Sequence, residues 1–190
     1  MISAATLRQR RRAAKQAGDP DLEQTERLKA RLARARDKRV PFALTGDEFL
    51  EICRWKLGDA YGRSAELLES NSEKRLRRIT QLAFAVKDKD ADFVLAARLG
   101  ILRLLPGVGI GLASAILGLC HPQRFAPLDA RVWNAIFDEK RASFELAEYR
   151  RYLARLAELC DEVRSLDSKG RWCVQLVAFY AGAEDAVSTG

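Results

Sequence analysis

The sequence lacks the patterns of several common protein classes. It has no uninterrupted apolar run of about 18 residues, which a membrane-spanning helix would need, and no apolar segment typical of a secretory leader. Its four cysteines form no Cys-x-x-Cys pair, so their spacing predicts neither a structural zinc site nor a four-cysteine iron–sulfur cluster. We expect buried thiols in a cytoplasmic, monomeric protein that has no membrane partner.

Patterns typical of β-strands are also nearly absent. No segment alternates apolar and polar residues over five or more positions, whereas apolar residues recur at helical spacing along most of the chain. Thr45 and Glu48 are spaced as a capping box, and segment 143–166 carries a continuous core stripe. A chain of 190 residues can bury a sizeable core, so the sequence predicts a compact all-α bundle.

Positive charge is concentrated in the first fifth of the chain. Residues 1–40 hold twelve Lys or Arg and five Asp or Glu, and this excess equals the net charge of the whole chain, +7. The sequence GDP at 18–20 divides the segment into two predicted helices. We therefore expect a basic helical arm over 1–40 and a neutral domain over 41–190. The composition leaves open a polyanion partner, a solvated helical surface or a mitochondrial transit peptide.

The segment LLPGVGIGLASAIL (104–117) combines an apolar composition with proline and glycine, which weaken a helix interior. It lies between apolar helices predicted over 93–104 and 110–120, and so predicts a helix–hairpin–helix. Gly107 and Gly109 would permit positive φ and close approach by another backbone. The alternative is a glycine-rich turn that only joins two core helices, as in a protein-interaction domain.

Backbone groups of this hairpin are candidates for ligand contacts. Amides of the turn and of the second helix can bind an anion, and a DNA phosphate is the natural occupant. The candidate phosphate-binding residues are Gly107, Val108, Gly109 and Gly111. We expect the protein to require no cofactor, although the carbonyls of the hairpin turn can hold a monovalent cation, K⁺ or Na⁺. The candidate cation ligands are Leu104, Pro106 and Gly109.

The sequence LPGVGIGLASAILGLCHPQRFAPLDARVWNAI resembles the helix–hairpin–helix superfamily of DNA glycosylases. In that superfamily a hairpin, a helix of small residues, a proline-containing loop and an aspartate follow in this order. The spacing from Pro106 to Asp129 is most similar to that of the adenine-excising branch. The resemblance covers residues 93–138 and implies a compact bundle of glycosylase type, with Asp129 as the catalytic carboxylate.

This sequence departs from the superfamily pattern at three places. Bifunctional members carry a lysine nucleophile at the start of the second hairpin helix, where this chain has Gly111, so Schiff-base strand cleavage is not expected. The iron–sulfur loop of many relatives is missing. The proline after the loop aromatic Phe125 is displaced by one position, to Pro127. The resemblance therefore implies a compact, monofunctional glycosylase that acts on double-stranded DNA, in repair or against foreign modified DNA.

Asp129 suits this chemistry. Breaking an N-glycosidic bond develops positive charge on the sugar, which a nearby carboxylate stabilises while it orients water. The target base must first be flipped out of the duplex. An aspartate at the start of a helix is also a common N-cap, and both roles are compatible. The alternative function is a non-catalytic helix–hairpin–helix DNA-binding protein, in which Asp129 is structural.

Other candidates lie near the end of the helix predicted over 47–56 and around Asp129. Trp55 can stack on a base while Arg54 and Lys56 meet phosphates, or Trp55 can lie in the core beside two solvated cations. Arg124 and Arg131 are candidates for DNA backbone contacts or surface charges. For His121 we expect a structural or phosphate-contacting role rather than catalysis, at a helix C-terminus where its cation would suit the dipole. We expect core positions for Trp133 and Trp172.

Overall fold

The computed structural model describes residues 1–183, and every regular element in this range is helical. The predicted all-α class is therefore confirmed for these residues, and none of their helices is long and apolar enough to cross a membrane. Two 3₁₀ turns cover Gly58–Arg63 and Ser168–Gly170. The α-helices are α1 (Ala4–Ala17), α2 (Pro20–Lys38), α3 (Gly46–Leu57), α4 (Ala65–Glu69), α5 (Glu73–Ala85), α6 (Ala91–Leu102), α7 (Ile110–Cys120), α8 (Ala130–Phe137), α9 (Leu146–Leu166) and α10 (Val174–Gly182).

Several helix starts are determined by local sequence. The predicted capping box at α3 is present, since the Thr45 hydroxyl accepts from the backbone N–H of Glu48 and the Glu48 carboxylate accepts from that of Thr45. Asp19 caps α2, whose first residue is Pro20, a residue suited to the first helical position. These caps satisfy amides that have no acceptor within the helix.

The first two helices, expected as a basic arm (1–40) before a domain (41–190), pack against the rest of the molecule. Helix α1 packs on α9 and α10, and α2 packs on α7. Leu7 and Leu32 are fully buried in the same core as the rest of the molecule. Helix α2 has only a thin apolar stripe. This stripe suffices to bury one face of α2, because the helix lies along α7, which is apolar on nearly every side.

Some of the basic side chains of this segment have structural roles. Arg36 Nη1 donates to the carbonyl of Cys120 at the end of α7, at 2.8 Å. Arg10 Nη1 donates to the carbonyls of Tyr180 and Ala181 near the end of α10, both at 3.0 Å. Cationic side chains at helix C-termini donate to the last carbonyls and interact favourably with the helix dipole. Part of the excess positive charge therefore stabilises the fold.

Helix α7 and helix α9 together fix the loop that leads to Asp129. A Cβ on Gly118 would lie only 2.9 Å from the backbone nitrogen of Pro127, so this close packing requires glycine. Ser114 Oγ accepts from the backbone N–H of Leu128 at 2.8 Å. The loop is held from its other side by two buried α9 phenols, Tyr149 to the carbonyl of Ala126 and Tyr152 to that of Pro127.

The core contains many, but not all, of the residues whose burial was predicted, since Leu82, Phe93 and Leu104 are exposed. Trp133 and Trp172 are buried, and so are the four cysteines, which form no disulfide. Burial raises the pKa of the Cys53 thiol to about 12, with a smaller opposing effect from Arg54. The thiol therefore stays protonated near neutral pH and is a packing group rather than a nucleophile.

Candidate active site

A cavity of about 500 Å³ lies where four parts of the chain meet. This volume falls within the range of small-molecule binding pockets. The start of α2, the end of α3, the loop before α8 and the last helix each contribute to its wall. Residues from all four parts line the cavity, and they include Asp19, Asp21, Gln24, Thr25, Trp55, Lys56, Pro127, Asp129, Arg131, Gln175 and Phe179.

Asp129 lies in this wall at the N-cap position of α8. Its Oδ1 accepts from the backbone N–H of Arg131 at 2.9 Å. Its Oδ2 accepts from Lys56 Nζ at 3.1 Å, and the Arg131 Nε lies 3.6 Å from Oδ1. The carboxylate thus combines the N-cap role with a position on the cavity, where 28% of the side chain remains exposed.

The charge state of Asp129 results from opposing effects. Partial burial acts to raise the pKa of this carboxyl group. It is outweighed by the charge and hydrogen bond of Lys56, by the backbone N–H of Arg131 and by the Arg131 guanidinium, so the pKa lies below its ordinary value. Asp129 is therefore ionised at neutral pH. An ionised carboxylate on a cavity can stabilise positive charge that develops in a bound molecule.

The two basic residues predicted beside Trp55 have different positions. Lys56 points to the cavity, whereas the Arg54 guanidinium lies over the Tyr61 ring at 5.1 Å, and Arg54 Nη2 lies 4.0 Å from Glu69 Oε1. Successive residues of a helix lie on different faces, which separates the pair. Arg54 is absent from the cavity wall but remains an exposed cation available to a backbone phosphate.

Trp55 lies between the core and the cavity. Its ring packs against the core and also lines the cavity. Its Nε1 donates to the buried Thr25 hydroxyl at 2.9 Å, which satisfies the indole and fixes the ring. A fixed aromatic side chain in a cavity wall can stack on a flat ligand.

The hairpin turn connects α6 and α7 as predicted, and its first glycine has the expected conformation. Gly107 has φ of 79°, and a Cβ there would lie 2.9 Å from Leu68 Cδ2. Gly109 corrects the prediction of a second positive φ, since its φ is −86° and its ψ is −177°. It is the N-cap of α7, and it has no side chain with which to cap the helix.

Open space lies in front of the second half of the turn. A Cβ built on Gly109 or Gly111 meets no atom of residues 1–183 within 4 Å. The first amides of a helix lack intrahelical acceptors and attract anions. The N-terminus of α7 has no side-chain cap, and the surface beside Gly109 and Gly111 is open on the side where a Cβ would lie, so its first amides are candidates for contact with a phosphate. Val108, in contrast, has a buried side chain and contributes to the core.

The carbonyls expected to hold a monovalent cation are partly engaged. The Pro106 carbonyl accepts from Asn71 Nδ2 at 3.0 Å, and the Gly109 carbonyl accepts from the Ala113 N–H at 3.0 Å. Each carbonyl retains a second lone pair. Leu104 is 62% exposed. These groups remain candidate ligands, and residues 1–183 contain no group of three or more His, Cys, Asp and Glu side chains arranged to hold a metal.

His121 differs from its expected cationic state. Burial and then the charges of Arg98, Arg36 and Arg124 lower its pKa to about 4. Its ring contacts Phe84 at 5.4 Å between ring centroids. His121 is therefore neutral near neutral pH, because burial and the nearby cations disfavour its charged form. Arg124 is exposed, and Arg131 is exposed beside Asp129, so both cations are accessible.

Sequence reasoning did not find the pairing of Lys56 with Asp129, nor that Thr25 and Gln175 line the cavity. Lys29 Nζ donates to Gln175 Oε1 at 2.8 Å across 146 positions of sequence. No local spacing rule connects residues this far apart. The only available signal was that a threonine and a glutamine lie on otherwise apolar helix faces, at positions that proved buried.

Comparison of the chain with protein-family models, with curated proteins and with solved structures found no match.

Proposed function

We propose that this protein is a monofunctional DNA glycosylase that hydrolyses the N-glycosidic bond of a flipped, damaged or modified base. The observation that carries the proposal is the ionised, partly exposed Asp129 carboxylate in the wall of a cavity large enough for a nucleobase. The order of motifs in residues 93–138, which resembles that of helix–hairpin–helix glycosylases, supports the same assignment.

The arrangement supplies the groups that this reaction needs. Cleavage develops positive charge on the sugar, and Asp129 is placed to stabilise it and to orient water. Lys56 and the N-terminus of α8 keep the carboxylate ionised and hold it in place. Trp55 offers an aromatic surface to the flipped base. The backbone amides of Gly109 and Gly111, at the uncapped start of α7, are the proposed contacts to the DNA backbone.

Hydrolysis is favoured over a Schiff-base route by the start of the second hairpin helix. Bifunctional members of the superfamily carry a lysine nucleophile there, and this chain has Gly111. Lys56, the lysine of the cavity wall, is paired with the Asp129 carboxylate at 3.1 Å. The product is therefore expected to be an abasic site in an intact strand, cleaved only by subsequent alkali.

A non-catalytic DNA-binding function is the second candidate, and one observation favours it. Both oxygens of Asp129 already have structural partners, Oδ1 at the start of α8 and Oδ2 at Lys56. A carboxylate held only for stability would have the same contacts. This candidate predicts salt-sensitive DNA binding without base release.

A base-release assay separates the two candidates. Wild type and Asp129→Asn are incubated with duplexes that carry single modified bases, and strands are analysed with and without alkali. We expect alkali-dependent cleavage by wild type and a loss of at least about 100-fold in the variant, as for removal of a transition-state stabilising group. Cleavage without alkali, or covalent trapping of DNA by borohydride, would contradict the monofunctional assignment.

Asp90→Asn is the matched control. Asp90 is also a helix N-cap, accepting from the backbone N–H groups of Asp92 and Phe93, but it lies at the start of α6 and is not part of the cavity wall. An equal loss in both variants would indicate damage to the fold. Base release that is unchanged in Asp129→Asn would favour a different catalytic group. No release by wild type, with DNA binding intact, would favour the non-catalytic function.

A further inference from the structure

We propose that a cluster of basic side chains at the C-terminal end of α7 binds a phosphate group. This basic cluster consists of Arg36, Arg98, Arg124 and His121, and none of the four is among the described residues that line the cavity. Helix α7 has 11 residues and spans about 16 Å, so the cluster is separate from the phosphate contacts proposed at the hairpin, which lie at the other end of the helix. The inference does not depend on glycosylase activity.

Arg98 is the most deeply buried member of the basic cluster, with 7% of the residue exposed. Its Nη2 donates to the carbonyls of Val86 at 3.0 Å and Phe84 at 3.5 Å, and its Cζ lies 5.7 Å from the centroid of the Phe125 ring. Its Nε is buried and has no hydrogen-bond partner among residues 1–183. The neighbouring side-chain charge that acts on Arg98 is that of Arg124, which has the same sign. Buried charges are normally paired with an opposite charge, so the fold holds this cation in place without neutralising it.

The other members of the basic cluster add positive charge around the same position. His121 follows the last residue of α7, and its Nε2 is also buried without a partner in the described chain. The charges that act on His121 are those of Arg98, Arg36 and Arg124, and all three are positive. Arg36 is held by the carbonyl of Cys120 at 2.8 Å, whereas Arg124 is exposed and connects the cluster to solvent.

The acidic side chains near the basic cluster do not neutralise it. Asp37 Oδ1 lies 3.8 Å from Arg36 Nε, but the Asp37 side chain is 74% exposed, and ion pairs at such positions contribute little. Glu48 acts on Cys120, but it is paired with Arg39 and accepts from the backbone N–H of Thr45. The described residues therefore leave an excess of positive charge with unpaired nitrogen atoms.

A phosphate group matches this arrangement better than a single carboxylate. It carries about two negative charges and offers oxygen atoms in several directions, so it can accept from groups on different segments at once. Guanidinium groups bind such oxygens with strong, charge-assisted hydrogen bonds. Arg98 and Arg36 are already fixed by backbone carbonyls, so a ligand does not have to order them.

His121 is the only histidine of the chain, so its ring gives a single NMR signal that reports on the basic cluster. Inorganic phosphate is titrated into the whole protein at constant ionic strength, in exchange for chloride. We expect a saturable shift of the His121 Cε1–H signal. We also expect the pKa of His121 to rise from about 4, because a bound anion stabilises the imidazolium. A change that does not saturate, or an unchanged His121 pKa in excess phosphate, overturns the site.

Arg124→Gln removes the exposed charge of the basic cluster, and we expect it to weaken phosphate binding at least about 10-fold without lowering the free energy of unfolding. Arg12→Gln is the matched control, because Arg12 is an exposed arginine of α1 and is not among the charges that act on His121. Full phosphate affinity in Arg124→Gln, or an equal loss in both variants, overturns the site.

Duplex DNA that contains only unmodified bases distinguishes two sources of the phosphate group. DNA that displaces inorganic phosphate and shifts the His121 signal identifies the DNA backbone as the ligand. DNA that leaves both unchanged assigns the basic cluster to a free phosphate or a small phosphorylated molecule. Both results support the site that saturable binding defines. No base release is measured, so failure of the glycosylase proposal is a separate outcome.

Discussion

Lys56 Nζ lies 3.1 Å from Asp129 Oδ2, and the two residues are 73 positions apart in sequence. The contact joins the last turn of α3 to the start of α8 at the edge of the cavity. It brings together the residue predicted to be catalytic and a lysine predicted only to meet phosphate or solvent. The pair governs the charge of the carboxylate, and its removal has a measurable consequence.

Lys56→Met is expected to raise the pKa of Asp129, because burial then acts with less opposing positive charge. The carboxyl titration can be followed by NMR, independently of any activity. The acid limb of a base-release profile should shift to higher pH in the same direction. Lys56→Arg keeps the charge and is the control. An unchanged Asp129 titration in Lys56→Met would mean that the α8 N-terminus and Arg131 determine the charge state.

Gly111→Glu tests the hairpin as a phosphate site. The position lies in the first turn of α7, and a Cβ there meets no described atom within 4 Å. A negative charge near a helix N-terminus interacts favourably with the helix dipole. We therefore expect the free energy of unfolding to be unchanged or higher, while the new charge repels phosphate and lowers affinity for duplex DNA at least about 10-fold at low salt.

Gly100→Glu supplies the control for this change in charge. Gly100 is an exposed residue of α6 at which a Cβ meets no described atom within 4 Å. Fluorescence anisotropy over a range of salt concentrations measures both variants. An equal loss of affinity at the two positions would indicate an effect of net charge, and it would remove the support for phosphate binding at the turn.

The two hairpin glycines should respond in opposite directions to alanine. Gly107→Ala places a side chain at φ of 79° and within 2.9 Å of Leu68 Cδ2, so we expect destabilisation by about 1–3 kcal/mol. Gly111→Ala adds a helix-forming residue in open space and should stabilise by about 0.5–1 kcal/mol. Urea unfolding of both variants measures the difference, and a stabilised Gly107→Ala would contradict the strained turn.

Sequence reasoning predicted what depends on neighbouring residues. The capping box at Thr45, the helices on either side of the hairpin and the positive φ of Gly107 all follow from local rules, as does the N-cap position of Asp129. The positive φ considered for Gly109, the second glycine of the hairpin, is not present. A glycine can mark either a positive φ or an open surface, and the sequence alone does not distinguish the two.

What the sequence did not predict depends on packing between distant segments. We predicted an arm over residues 1–40 from their excess of positive charge. Composition does not show that Leu7 and Leu32 are buried in the core, nor that Arg36 donates to the last carbonyl of α7. The side chain of Lys29 donates to that of Gln175 across 146 positions of sequence, and no local rule connects the two residues. Helical periodicity shows which face is buried, but not which helix covers it.

His121 gives the stability of the protein a dependence on pH. Burial, together with Arg98 and other nearby cations, lowers the folded-state pKa to about 4, whereas an exposed histidine titrates near about 6.5. As the pH falls from about 6.5 to about 4, the unfolded chain takes up a proton that the folded chain does not. The free energy of unfolding should therefore decrease over this window, by up to about 3 kcal/mol.

His121→Phe isolates this effect from the titration of carboxylates. The His121 Nε2 is buried without a hydrogen-bond partner in the described chain, and the ring already contacts Phe84 and Phe125, so phenylalanine removes the proton site without breaking a bond at that nitrogen. Urea unfolding at several pH values measures wild type and variant, and their difference should grow as the pH falls below about 6.5. A constant difference would mean that His121 takes up its proton equally in both states, and its pKa in the folded protein would then be the ordinary one.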